Sequence, residues 1–236
     1  MYSKLVRFAM TLAAVLCTGC SVHLPWSAEP VGQKTNLAFV MRNNLLYIPS
    51  ATIDGRPGTF IFGSSQPVSV IDTRFARASW HTLQLSEKQS LRFTSVNADL
   101  HGIADAIIGA NVWGSAAVTV DYRVGLITLQ REGIHPEMMT LFRYADEPMI
   151  TIHVDGQTLN AIVDTTSPDT VVLAGNANGR RTAQVQIAGT DFGNIDIRSG
   201  GAAVSRVGNR LLSKFLISID YGRHVVGLWR DPRIAL

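Results

Sequence analysis

Two ordered blocks of this sequence recur at almost constant spacing, and that recurrence restricts the fold more than any other feature. ATIDGRPGTFIFGSSQPVSVI (51–71) aligns without gaps to IHVDGQTLNAIVDTTSPDTVV (152–172). Asp54-Gly55 falls on Asp155-Gly156, Gly63 on Asp164 and Pro67 on Pro168, each 101 residues apart. IIGANVWGSAAVTVDYRVGLITL (107–129) aligns to RVGNRLLSKFLISIDYGRHVVGL (206–228), with Gly109, Asp121 and Tyr122 each 99 residues from Gly208, Asp220 and Tyr221. Blocks kept in one order at this period point to a doubled folding unit, and gene duplication is the simplest account.

The local structure follows from the residue types. Asp-Gly ahead of an apolar alternating run signals a tight hairpin, because glycine adopts the positive φ the turn needs. GTFIF and LNAIV are then the second strands of hairpins. PVSVI and DTVVL are rich in β-branched residues and read as buried strands. NVWGSAA and NRLLSKF each follow a glycine and predict short helices. AVTVDY and LISIDY alternate as strands, turns led by Asp-Tyr follow, and LITLQ and VVGLW return as strands. Asp121 and Asp220 are read as turn residues. Trp113 and Trp229 are read as packing residues. Residues 131–148, with Pro136, Pro148 and a Met-rich middle, read as a linker between a first lobe at 45–130 and a second at 149–236.

Taken in order, a hairpin, two apolar residues and Asp-Thr, then two apolar residues and a glycine opening a helix, these motifs resemble the aspartic proteases. VDGQTLNAIVDTTSPDTVVL is similar to the active-site strand and loop of a retropepsin-type subunit, and VGNRLLSKFLISIDY to its closing element. The resemblance covers both halves. It implies a mostly β chain, with two duplicated retropepsin-like lobes forming a pepsin-like bilobal acid-protease fold. It also implies a chemistry. Two carboxylates, one per lobe, share a proton because like charges so close cannot both ionise. One activates a water and the other protonates the substrate carbonyl. A Thr hydroxyl tied to the opposite lobe's backbone fixes the loops, and a glycine permits the tight turn.

The sequence departs from that pattern where the chemistry would occur. The second half keeps Asp164 and Thr165 but has Thr166 in place of the glycine. The first half reads Gly63-Ser64-Ser65 in place of Asp-Thr-Gly, so the first lobe lacks its catalytic acid. Asp54 lies in a hairpin turn and Asp72 ends the next strand, so neither aligns with the missing position. On the resemblance, Asp164 is the single remaining dyad acid, with Thr165 beside it. Gly63, Ser64, Ser65, Thr166 and Ser167 form the cleft floor, and Asp169 matches a residue that contacts substrate backbone. Removing half of an acid–base pair costs orders of magnitude in rate. The expectation is a catalytically impaired homologue whose cleft binds an extended peptide or protein segment. Two rivals stand beside it. One is an active aspartic endopeptidase, through homodimerisation that brings two Asp164 together or through an unaligned second acid. The other is an envelope scaffold lipoprotein with no cleft ligand.

The N-terminus carries a separate signal. Lys4 and Arg7 precede the apolar run Phe8 to Cys17, which is too short to span a bilayer comfortably, and small residues lead to Cys20. LCTGC resembles the bacterial lipobox, so residues 1–19 are expected to be a lipoprotein-type signal peptide. Cys20 is then the lipidation site, and residues 20–44 form a tether. Ser21 after the cysteine resembles outer-membrane sorting, which implies a cell-envelope lipoprotein on the periplasmic face of the outer membrane. Without the leader, 19 basic residues face 18 acidic ones, and no Lys/Arg block suggests nucleic acid. Both cysteines, Cys17 and Cys20, lie in this region, so no disulfide framework or thiolate metal site is expected. The six histidines show no ligand spacing, and no serine sits in a nucleophile elbow. The glycine-rich RSGGAAVSRVG (198–208) lacks phosphate-loop spacing and reads as a loop. No cofactor is expected.

Overall fold

A computed structural model describes residues 34–233, apart from 115, 134, 135 and 177. The expected leader, Cys20 and most of the expected tether lie outside the described residues. The described residues are mostly β, with two four-residue α-helices among them, Ala110–Trp113 and Asn209–Leu212, at the two positions where short helices are predicted.

Both halves meet in one six-stranded sheet. Its order is Lys34–Ala38, Leu126–Gln130, Ala117–Asp121, Leu216–Asp220, Val225–Trp229 and Thr140–Arg143, with every neighbouring pair antiparallel. The middle seam joins Ala117–Asp121 of the first half to Leu216–Asp220 of the second. Thr119 and Ser218 face each other at its centre, their hydroxyls 2.9 Å apart. On either side of the seam lie one hairpin and one outer strand.

The outer strands correct the sequence reading. Lys34–Ala38 and Val40–Arg42 fall within the expected tether at 20–44, and Thr140–Arg143 falls within the expected linker at 131–148. Each outer strand covers an edge of the sheet whose backbone groups would otherwise lack partners. Leu37 is buried, whereas most of its neighbours along the strand are not, so the apolar pattern there is too sparse to announce a strand.

Beyond this sheet, the two halves pair their strands in the same order. In the first half, Phe60–Phe62 runs parallel to Ala106–Ile108, which is antiparallel to Ser69–Asp72, itself parallel to Gln89–Ala98. In the second half, Gln157–Val163, Arg206–Val207, Val171–Leu173 and Thr190–Ser199 repeat that series. A long hairpin completes each, Trp80–Ser86 with Gln89–Ala98 and Gly179–Ile187 with Thr190–Ser199. The predicted Asp-Gly turns form, with Asp54 and Asp155 at φ 52° and 50° and their glycines at 76° and 79°.

The halves differ in closure. Met149–Val154 pairs both with Gln157–Val163 and with Gly179–Ile187, which closes the second half into a six-stranded barrel. In the first half the matching hairpin breaks after Arg56–Pro57, and Phe60–Phe62 pairs instead with Leu45–Tyr47. Proline offers no N–H to a ladder, and a side chain at Gly58 would meet the Phe60 ring at 2.7 Å. The core runs through both halves and the central sheet, from Phe60, Phe62 and Trp113 to Val163, Leu212 and Ile219.

Candidate functional site

The strands Phe60–Phe62 and Gln157–Val163 each end in a buried loop, and the two loops lock onto each other. The Ser64 hydroxyl donates to the Val163 carbonyl at 2.6 Å and accepts from the Thr165 N–H at 3.0 Å. Reciprocally, the Thr165 hydroxyl donates to the Phe62 carbonyl at 2.8 Å and accepts from the Ser64 N–H at 2.9 Å. Ser64 and Thr165 are equivalent in the two repeats, so four hydrogen bonds form a two-fold clasp between the halves. Both residues are fully buried.

Each loop is also tied to its own half in the same way. The Gly63 N–H donates to the Ile108 carbonyl at 2.9 Å, and the Asp164 N–H to the Val207 carbonyl at 3.0 Å. Gly109 and Gly208 then open the short helices directly against the loops. A Cβ on Gly109 would lie 2.5 Å from the Gln66 carbonyl oxygen, and one on Gly208 2.5 Å from that of Asp169. Only glycine permits this approach of backbone to backbone.

Two tyrosines brace the clasp from the central sheet. Tyr221 donates to the Ser64 carbonyl at 2.8 Å. Its repeat partner Tyr122 donates to Asn209 Oδ1 at 2.8 Å, and the Asn209 amide donates onward to the Thr165 carbonyl. Burial pushes both hydroxyls far above the ordinary tyrosine range, which keeps them neutral donors. Asp121 and Asp220 cap the turns beside them, accepting from the Arg123 and Arg223 N–H groups. Trp113 is buried beside Phe62, whereas Trp229 lies half-buried beneath the Arg123 guanidinium.

The Asp164 side chain is 96% shielded from solvent, and three donors hold its carboxylate. Thr166 donates its N–H and its hydroxyl to Oδ1 at 2.9 and 2.6 Å, and Arg206 donates to Oδ2 at 2.7 Å. No second carboxylate is among its partners within the described residues. Arg206 occupies the repeat position of Ile107, immediately before the apolar residue and glycine that open the helix. At Gly63, a Cβ would stand 2.9 Å from Ile107 Cγ2 and 3.3 Å from Thr166 Cγ2. An aliphatic side chain therefore stands over the Gly63 position, and a guanidinium pairs with the carboxylate at the equivalent position of the second half.

The other expected site residues are distributed around this junction. Ser65 and Ser167 are buried, and the Ser167 N–H donates to the Asp164 carbonyl. The Asp169 carboxylate is engaged by Arg198 at 3.2 Å and Arg180 at 3.9 Å. Asp54 receives the buried His81 at 2.6 Å, and Asp72 is clamped by Arg74, so both are committed within the first half. Arg206 is the site residue that sequence reasoning missed. The available signal was an arginine aligned with an isoleucine in the second repeat block.

Chemically, the junction holds one carboxylate that accepts from three donors. A proton shared between two acids has no second oxygen pair on which to sit. Among the described residues, no group of three His, Cys, Asp or Glu side chains is placed to hold a metal ion. No helix among them is long and apolar enough to cross a membrane. A scan against protein-family models finds no match to this sequence, and a search of curated proteins finds no relative.

Proposed function

We propose that this chain is an acid-protease-like molecule of two retropepsin-like lobes, joined in the pepsin manner, whose hydrolytic dyad has been dismantled. Its cleft, floored by residues 63–66 and 164–167, binds an extended peptide or protein segment by strand-like pairing. The chain is exported and held at the periplasmic face of the outer membrane by lipid on Cys20. The repeated pairing order and the Ser64–Thr165 clasp support the two-lobed reading. The observation that carries the functional reading is the Asp164–Arg206 ion pair opposite Gly63, within an otherwise preserved junction.

Two measurements test this. A denatured protein incubated with the purified chain between pH 3 and 6 should be cleaved no faster than with Asp164→Asn. Cleavage that depends on Asp164 would overturn the loss of hydrolysis and favour an active endopeptidase assembled by dimerisation. A randomised peptide pool carrying a photo-crosslinker should label residues 63–66 and 164–167. Labelling confined to other surfaces, or none, would remove the peptide cleft and leave the scaffold reading.

A further inference from the structure

The two halves present matched rows of side chains beside the junction, and the rows differ in chemistry. Side chains paired across neighbouring strands lie on one face of a sheet. In the first half, Ile61, Ile107, Val70 and Val96 form one such row in register across four strands. In the second half, Ile162, Arg206, Val172 and Arg198 form the equivalent row, which Arg180 extends onto a fifth strand. Contacts support the shared faces. Ile61 and Ile107 line one apolar recess of about 170 Å³ together with Leu100, Ile103 and Ala104. Arg198 and Arg180 both reach Asp169, and Arg210 lines the same recess as these three.

Both rows start at the junction. Ile107 packs against the Gly63 position, the Gly63 position against Thr166, Thr166 bonds Asp164, and Asp164 bonds Arg206. The buried members Ile61, Val70, Ile162 and Val172 do not belong to the main core cluster, which places these rows on the faces turned away from it. At the outer ends, Val96 is 53% exposed, while the Arg198 and Arg180 side chains are 48% and 73% exposed. Arg206 contributes one N–H to Asp164 and keeps its side chain 37% exposed. The charges on the second-half side are Arg206, Arg198, Arg180 and Arg210 against Asp164, Asp169 and Asp196, leaving one cation in excess. On the first-half side the recess is rimmed by Asp99 and His101, with the acid engaged by Arg74.

We infer that the ligand is bipartite: an extended peptide with an apolar side chain over Ile61, Ile107 and Val96 and an acidic side chain over Arg206, Arg198 and Arg210. This rests on the peptide-cleft reading above and adds polarity to it. Guanidinium groups pair with carboxylates through charge-assisted, geometrically matched hydrogen bonds, while the aliphatic row offers a carboxylate nothing. A peptide of the opposite order would place its acid beside Asp99 and its apolar residue among arginines.

The test pans the purified full chain against a displayed library of random octapeptides. The expected result is enrichment of peptides with Asp or Glu to one side of an apolar residue. One enriched peptide should then bind about tenfold more weakly to Arg198→Gln or Arg210→Gln, equivalent to about 1.4 kcal/mol each. It should also weaken as salt is raised. Val96→Glu should weaken it from the other end. Circular dichroism melts of each variant, unchanged from the parent, keep a binding loss from being read as unfolding. Enrichment without acidic bias, or equal binding to the arginine variants, overturns the bipartite ligand and leaves the peptide cleft standing. No enrichment at all overturns both.

Discussion

The two repeats carry the same framework and opposite chemistry. Gly63 beside Ile107 and Asp164 beside Arg206 occupy equivalent places, bonded to their own halves by equivalent backbone hydrogen bonds. The first half has a glycine there, with an aliphatic side chain packed over it. The second half has an acid there, matched with a cation. What the two halves share is the set of contacts that hold the loops: the Ser64–Thr165 clasp, the close glycines and the tyrosine braces. The clasp therefore forms with a glycine in one half and an ion-paired acid in the other.

The strongest way to break the shared framework is at the glycines. Gly208→Ala would place a Cβ within 2.8 Å of two backbone oxygens and the Ser167 hydroxyl, and Gly109→Ala meets one such oxygen. Overpacking against backbone that cannot retreat is expected to lower stability by about 3 kcal/mol or more at Gly208, and by somewhat less at Gly109. Denaturant midpoints measure both, and a neutral Gly208→Ala would mean the loop approach is looser than described.

The next contrast concerns the ion pair. Arg206→Ala leaves Asp164 buried without its cation. Breaking a fully buried pair costs about 3–5 kcal/mol, but Arg206 is over a third exposed, so a loss of about 1–3 kcal/mol is expected. The double change Asp164→Asn with Arg206→Ile imitates the first half and should recover most of that loss. A double-mutant cycle with coupling near zero would show that the pair is not the unit described. Ser64→Ala and Thr165→Ala each strand buried backbone groups, for about 1–3 kcal/mol apiece. Each removes a different two of the four clasp bonds, so a departure from additivity would report coupling between the two loops. Tyr221→Phe and Tyr122→Phe should each cost only about 0.5–1.5 kcal/mol, because one neutral hydrogen bond is lost and the ring remains.

The smallest contrast is one of pH. Asp72 closes its strand where the second half has Leu173. Hydrogen bonds from Arg74 hold the Asp72 carboxyl well below the ordinary carboxylate range. A folded-state value lowered in this way contributes stability above the unfolded value of about 4, and that contribution is lost as pH falls through the folded value. Asp231, lowered to about 2 by Arg233, acts in the same direction. Urea midpoints between pH 5 and 2 should therefore fall less steeply in Asp72→Asn than in the parent chain. An unchanged slope would remove Asp72 from the account.

Much of this framework was legible in the sequence because its signals are local. The Asp-Gly turns, the alternating AVTVDY and LISIDY strands and the glycine-led helices each announce themselves within a few residues. The clasp between Ser64 and Thr165 was legible only through the resemblance, since nothing near either residue says that the other will be in reach. The strands Lys34–Ala38 and Thr140–Arg143 were missed because they are defined by the sheet edges they cover rather than by their own pattern. Arg206 was missed for a different reason. A charged residue in a short strand reads as solvent-facing until a buried acid 42 residues earlier in the chain is seen to meet it.

The seam at the centre of the six-stranded sheet has a consequence for the order of events during folding. Ala117–Asp121 has no partner on one side until Leu216–Asp220 has been made, nearly a hundred residues later. A chain whose second half is late to dock carries an open hydrogen-bonding edge able to recruit another copy, so native assembly and aggregation diverge at this seam.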